Sequence, residues 1–176
     1  MKHPVLACLF STFLGAVLAG CASAPTVRGP LRVPAPQSLI KVLHATGVQI
    51  YECQPAKADA AQFEWAFKGP EAVLSTKAGK NIGKHYGGPT WEANDGSRVV
   101  GEVVASSPSS KPNSIPWLLL RAKAISGNGL FGHVQFIQRL NTVGGSVPGG
   151  GCTRQQAGQQ LRAAYTADYA FYGVKH

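Results

Sequence analysis

The chain has 176 residues with 17 Lys or Arg against 8 Asp or Glu, which gives a formal net charge of +9. This length suits one domain that buries a core of its own, so neither several domains nor a stabilising metal is required. The positive charge favours anionic partners, but the cations form no run longer than a pair. They therefore indicate a solvated basic surface more than a specific anion site.

The N-terminus has the pattern of a signal peptide. A short basic start is followed at residues 5–19 by an apolar run that is too short for a comfortable transmembrane span. The run closes on Leu18-Ala19-Gly20-Cys21, which resembles the lipobox of bacterial lipoproteins. That motif implies cleavage before Cys21, a diacylglyceryl group on its sulfur and a further acyl chain such as palmitate on the new amino terminus. The alternative is a chance cysteine such as Cys8, which lacks the spacing.

These features predict an anchored envelope protein. Two or three acyl chains, at about 0.8 kcal/mol per buried methylene, hold a protein to a bilayer almost permanently. By resemblance to lipoproteins, Ala22 after the cysteine favours the outer membrane, with the domain facing the periplasm or the cell surface. The anionic partners of that compartment are lipopolysaccharide, phospholipid head groups and wall polymers, and nucleic acid is not expected there.

The remaining cysteines form one pair. Cys8 leaves with the signal peptide and Cys21 is the predicted lipidation site, so Cys53 and Cys152 remain in an oxidising compartment. A disulfide between them is the favoured interpretation. The alternative is two free, buried thiols.

Residues 1–20 are thus a predicted signal peptide, and residues 21–36 are a predicted tether. The tether carries four prolines among small and polar residues, so it cannot propagate a helix. Residues 37–176 are predicted to form a single β domain.

Within that domain the pattern is mostly of period two, which predicts short strands. Ala45-Thr46-Gly47 is interpreted as a turn, Gly69-Pro70 as a strand end, and Asp95-Gly96 as a tight hairpin. Thr153 and Gln156 have capping-box spacing, which predicts a short helix near the C-terminus. We therefore expect an all-β, mainly antiparallel fold, a sandwich or barrel of about eight strands. The predicted strands are residues 39–43, 48–53, 63–67, 72–75, 91–93, 98–105, 115–125, 131–140 and 165–172.

Motifs for standard cofactor and hydrolase chemistry are missing. The glycines of residues 127–132 match G-x-G-x-x-G, but a strand pattern follows where a nucleotide site needs a helix, so they predict a turn. The chain has no H-E-x-x-H, C-x-x-C or G-x-S-x-G motif. We predict no cofactor and no metal. A site built on His85 with a nearby acid is a weaker alternative, since three ligands are usually needed.

Residues 85–95 hold the densest group of chemically capable side chains, on a predicted loop. Trp91 offers a stacking face to a flat ligand, and Glu92 with Asp95 could form the acid pair of a glycosidase. The simpler interpretation is that Trp91 belongs to the core while the two acids cap a turn.

Blocks of sequence along nearly the whole mature chain, from about Val33 to Tyr172, support a family assignment. They are Gly47-Val48-Gln49-Ile50-Tyr51-Glu52-Cys53, Ile82-Gly83-Lys84-His85-Tyr86-Gly87-Gly88-Pro89-Thr90-Trp91-Glu92, Ile115-Pro116-Trp117-Leu118, Ile137-Gln138-Arg139-Leu140-Asn141-Thr142 with Gly144-Gly145 and Cys152, and Ala167-Asp168-Tyr169 with Phe171-Tyr172. Together they resemble the domain of unknown function 3455 family. The resemblance implies a secreted or lipid-anchored domain found in bacteria and fungi, with no established activity.

Three functional hypotheses follow. The favoured one is a non-catalytic envelope module that binds a small ligand or an anionic polymer. A rival is a hydrolase of envelope saccharides that uses Glu92 and Asp95, and a third is a purely structural lipoprotein. The predicted binding residues are His85, Trp91, Glu92, Gln138, Arg139 and Asn141.

The anchor is tested by Cys21→Ser. Without the thiol there is no acyl acceptor, so we expect loss of lipid labelling and release of the protein from membranes. Fractionation of cells grown with a labelled fatty acid measures both. A Cys8→Ser chain is the control and should stay anchored. If the Cys21→Ser chain stays membrane-bound and is processed to the same size, the lipobox interpretation is wrong.

Overall fold

The computed structural model describes residues 25, 27, 29–147 and 149–174. The predicted signal peptide and Cys21 lie outside the described residues. Within the part that is described, no helix has the length and apolar character needed to cross a bilayer.

Eight antiparallel strands form one sheet, in which each strand pairs with its neighbours in the sequence and β8 returns to pair with β1. This is the strand order of a closed barrel. It confirms the expectation of an all-β antiparallel fold with about eight strands. The strands are β1 (Ser38–Pro55), β2 (Phe63–Ser75), β3 (Asn81–Tyr86), β4 (Thr90–Ala93), β5 (Arg98–Ser107), β6 (Trp117–Ser126), β7 (Phe136–Gly144) and β8 (Gln160–Gly173).

The core lies inside the closed sheet because alternate side chains of each strand point inward. Every strand contributes at least one apolar side chain to this core, or one packed against it. Phe131 and Val134, from the connection between β6 and β7, are fully buried and fill one end of the interior. The inward side chains include Leu43, Leu74, Ile82, Trp91, Val99, Leu120, Ile137 and Phe171.

The predicted turn at residues 45–47 is wrong, because β1 runs through it without a break. Gly47 lies opposite Ala72 on β2, and a Cβ on Gly47 would lie within 2.6 Å of the Ala72 side chain. The glycine therefore permits a close approach of two strands and does not mark a turn. The predicted strand end at Gly69-Pro70 is also wrong, since β2 continues past a register shift opposite Ile50 and Tyr51.

The predicted helix near the C-terminus is only a 3-10 turn at Arg154–Gln156. Its capping interaction is present, with the Thr153 backbone N donating to Gln156 Oε1 at 2.9 Å. Gly158 has a positive φ, and Gln160 already pairs with β1, so the chain leaves the turn before a helix can extend.

The predicted start of the strand at residues 131–140 is also wrong. Strand β7 begins at Phe136 and not at Phe131, because residues 131–135 belong to the connection that fills the end of the core.

The last part of the predicted tether lies against the outside of the sheet. Leu31 is buried in a second apolar cluster with Leu119 of β6 and Leu140 of β7. The side-chain amide of Gln138 donates to the Leu31 carbonyl oxygen at 2.7 Å. Leu31 and the residues that pack around it therefore belong to the folded domain and not to a free tether.

Cys53 and Cys152 form a disulfide across a sequence separation of 99 residues. This confirms the favoured pairing over two free thiols. The bond joins the end of β1 to the connection between β7 and β8. It therefore fixes the β7–β8 connection to β1.

Removing the disulfide with Cys53→Ala and Cys152→Ala should destabilise the fold. A closed loop of this length lowers the entropy of the unfolded chain, so we expect a loss of about 4 kcal/mol in the free energy of unfolding. Urea titration of the oxidised wild type and the double variant measures the difference. Reducing agent should destabilise the wild type alone. A double variant as stable as the oxidised wild type would contradict this role.

Candidate functional site

A cavity of about 360 Å³ lies within the closed sheet, bounded mainly by apolar and aromatic side chains. Strand order places it at the end that carries the β1–β2, β3–β4, β5–β6 and β7–β8 connections, opposite the end filled by Phe131 and Val134. Its lining is Gln49, Tyr51, Phe67, Lys68, Gly69, Pro70, His85, Gly88, Pro89, Trp91, Val103, Ile115, Pro116, Leu118, Leu120, Arg139 and Tyr169.

Stacked aromatic rings form the floor of the cavity. His85 of β3 lies directly opposite Trp91 of β4, and both side chains are almost fully buried, at 2% and 1% exposure. Their rings stack with centroids 4.4 Å apart and planes at 11°. Tyr169 of β8 meets both rings edge-on at 5.0 and 5.3 Å. The strand predicted at residues 91–93 is present as β4, but the loop expected before it is shorter, since His85 belongs to β3, a strand that was not predicted, and residues 87–89 make the turn.

The indole of Trp91 fits because the facing strand carries a glycine. A Cβ at Gly101 of β5 would lie 3.0 Å from the Trp91 ring. Trp91 is thus a core residue as well as a cavity wall. Its Nε1–H group is buried and has no hydrogen-bond partner in the described part of the chain.

His85 is neutral. Its Nδ1 donates to the Thr90 carbonyl oxygen at 2.8 Å, so Nε2 is the nitrogen without a proton. Burial lowers the pKa of His85 to about 3, and the positive charge of Arg139 acts in the same direction against the opposing Thr90 hydrogen bond.

Arg139 of β7 places a positive charge at the cavity. Its Nε donates to the Pro116 carbonyl oxygen at 3.0 Å, which fixes the guanidinium at the cavity wall. No acidic residue lines the cavity, and Arg139 has no ion-pair partner among the described residues. Burial raises the pKa of Tyr51 and of Tyr169, and the positive charge of Arg139 lies close enough to both to counteract part of that rise.

Further polar groups lie buried in the same region. The Gln49 side-chain nitrogen and the hydroxyls of Tyr165 and Tyr169 lie near one another, yet none makes a well-formed hydrogen bond in the described structure. Tyr51 is satisfied, since its hydroxyl donates to the Gly145 carbonyl oxygen at 2.7 Å. The lining of the cavity therefore presents hydrogen-bonding groups and two cations, Arg139 and Lys68.

Of the six predicted binding residues, His85, Trp91 and Arg139 meet at this cavity. Side chains alternate between the two faces of a strand. Glu92 follows the inward residue Trp91 and Gln138 precedes the inward residue Arg139, so both point to the outer face. The Gln138 side chain bonds to Leu31 and to the Tyr172 hydroxyl. Asn141 donates to Asp168 at 2.8 Å on the outside.

The two candidate catalytic acids are engaged elsewhere. Glu92 accepts from the Tyr86 hydroxyl at 2.6 Å and pairs with Lys84 at 3.2 Å, which together hold the pKa of Glu92 below its usual value. Asp95 accepts from Ser97 and from the Leu130 backbone N, and these bonds lower the pKa of Asp95. Neither acid lines the cavity. Asp95 ties the β4–β5 turn to the β6–β7 connection.

Sequence reasoning missed Gln49, Tyr51 and Tyr169, which also line the cavity. Each lies at an inward position of its strand. The other inward positions of these strands carry apolar or small residues, such as Ala45 and Gly47. A polar side chain at an inward position was the available signal.

A family model described as "Protein of unknown function (DUF3455)" matches residues 34–173, a span that includes all eight strands. The chain belongs to this family. The assignment of the sequence blocks is thereby confirmed for the DUF3455 domain, and the matched span holds the whole cavity. No curated protein and no solved structure matched the chain.

The buried histidine makes stability dependent on pH. An unfolded histidine binds a proton below about pH 6.5, whereas folded His85 stays neutral until about pH 3. Its contribution to stability is therefore complete above pH 6.5 and decreases as the pH falls, by up to about tenfold in the unfolding equilibrium per pH unit.

The variant His85→Phe keeps a ring against Trp91 and removes the titration. Between pH 6.5 and 5, its free energy of unfolding should depend less steeply on pH than that of the wild type. Urea titrations at several pH values give both slopes, and the slopes are compared so that a constant loss of stability does not matter. Equal slopes would show that His85 gains a proton in the folded state.

Proposed function

We propose that this DUF3455 protein is a membrane-anchored envelope lipoprotein whose closed sheet binds a small, mostly apolar ligand without catalysis. The observation that carries the proposal is the cavity on His85, Trp91 and Arg139. Protein interiors are close-packed, and an opening this large is not a packing defect of ordinary size. It falls within the range of small-molecule pockets, about 300 to 1,000 Å³. Closed sheets of about eight strands are known to hold one small ligand.

The side chains at the mouth of the cavity favour an apolar ligand. Phe67 and Val103 line it while remaining 55% and 54% exposed. Large apolar side chains that gather at an opening indicate contact with an apolar partner. Lys68 lies beside them and pairs with Glu52 at 3.6 Å, so the rim carries polar groups as well.

The envelope location rests on the signal-peptide pattern, the lipobox and the disulfide, which suits an oxidising compartment. Cys21 and Gly29 are eight residues apart in the sequence. Even a fully extended chain spans only about 3.6 Å per residue, so a lipid on Cys21 would keep the docked segment within roughly 30 Å of the bilayer. A domain whose N-terminal segment is held this near to a membrane is well placed to exchange apolar molecules with it.

Saccharide hydrolysis finds no support in the placement of the acids. Glu92 and Asp95 lie outside the cavity and are occupied by hydrogen bonds that stabilise the hairpin and its turn. Among the residues that the structure describes, none that lines the cavity carries a carboxylate. Binding is thus the function favoured for this site.

The proposal is tested with the neutral fluorescent probe N-phenyl-1-naphthylamine. We expect saturable binding to the purified full-length protein, with a rise in fluorescence. Leu118→Trp should reduce the affinity at least tenfold, because the larger side chain fills the cavity that Leu118 lines.

The matched control is Val73→Trp, which places the same ring on the outer face of β2, where Val73 is 50% exposed. This variant should bind the probe like the wild type. Absence of saturable binding, or equal loss in both variants, would contradict a ligand site in the cavity.

A further inference from the structure

The cavity has apolar walls, and the charge that it contains is positive. Arg139 supplies a positive charge without an ion-pair partner among the described residues, and the lining contains no acid. Trp91 and Gln49 add buried N–H groups that lack a well-formed hydrogen bond in the described structure. These N–H groups have almost no accessible surface and lie behind the cavity wall, so Arg139 is the group left to meet an acceptor that arrives with a ligand.

We infer that the ligand is an amphipathic monocarboxylate, held at its carboxylate by Arg139 and along its apolar body by the cavity wall. This inference rests on the proposed function and names the ligand class of the same site. A guanidinium matches the two oxygens of a carboxylate with parallel hydrogen bonds. Because Nε of Arg139 is bonded to Pro116, the terminal nitrogens, which also lie near the Tyr169 hydroxyl, are left for the carboxylate.

The charge balance favours one negative charge over two. His85 stays neutral within the cavity, so the site offers the single charge of Arg139. Lys68, the other cation of the lining, lies at the exposed mouth and already pairs with Glu52. A phosphate monoester with nearly two charges would leave one of them uncompensated in an apolar setting, which is costly.

Size and shape define the apolar body. At about 30 Å³ for each water-sized group, the cavity holds on the order of a dozen such groups. Leu118, Leu120 and Ile115 line one wall, and Phe67 with Val103 extends the apolar path to the mouth. A chain of about ten carbons with one carboxylate fits this space.

The experiment titrates decanoate, decanol and decyl phosphate into the purified full-length protein by calorimetry. Decanoate should bind at least tenfold more tightly than either of the other two. Arg139→Met removes the charge and keeps a long apolar side chain, so it should lower decanoate affinity at least tenfold and leave decanol affinity unchanged.

Arg162→Met is the matched control. Arg162 pairs with Glu71 at 2.9 Å on the outer face, and its loss should not change decanoate binding. Should Arg139→Met fail to fold, Arg139→Lys keeps the charge without the paired donors and should still weaken decanoate binding relative to decanol.

The outcomes separate the two proposals. If decanol binds as tightly as decanoate, or Arg139→Met leaves the preference intact, the carboxylate assignment is overturned while ligand binding stands. Tighter binding of decyl phosphate overturns it in favour of a phosphate head group. If none of the three compounds binds and the neutral fluorescent probe also fails, the proposed function itself is lost.

Discussion

The pairing of β8 with β1 is the constraint on which the rest of the molecule depends. These are the two longest strands, and their ladder runs from Ser38↔Gly173 to Glu52↔Gln160. Closing the sheet satisfies the backbone groups that an edge strand would expose and separates an inside from an outside. Once the sheet is closed, the two-residue alternation of each strand decides which side chains share the interior. His85 and Trp91 already face each other in the β3–β4 hairpin, and Arg139 of the distant strand β7 meets them because of this closure.

The interior then contains an unusual balance of polar groups. His85 is neutral because it is buried, whereas Arg139 brings a positive charge to the same interior. A second cation beside Arg139 would raise the cost of burying both. Because His85 is neutral and stacks on Trp91, Arg139 is the charge beside these rings, while Lys68 lies at the mouth of the cavity.

Much of the fold could be predicted from period-two patterns and turn chemistry. The hairpin at Asp95-Gly96 and the final strand are present because local signals and tertiary pairing agree there. Gly47 and Gly69 misled the prediction, since a glycine that permits close strand approach looks the same in sequence as one that turns the chain. For the site, residue type identified His85, Trp91 and Arg139, but the inward or outward direction of Glu92 and Gln138 depends on register. Register is set by closure, a long-range property that the local pattern does not carry.

β7 shows how tightly the two faces of the sheet are coupled. Gln138 fixes Leu31 on the outside, and its neighbour Arg139 reaches the cavity on the inside. A slip of one residue in the pairing of β7 with β8 would exchange the two side chains, placing the charge under the docked N-terminal segment and an amide in the cavity. The same register therefore holds the segment that leads toward the predicted anchor and the cation that defines the cavity. Because both depend on one strand, docking of the segment against Leu119 and Leu140 stabilises the register on which the site relies.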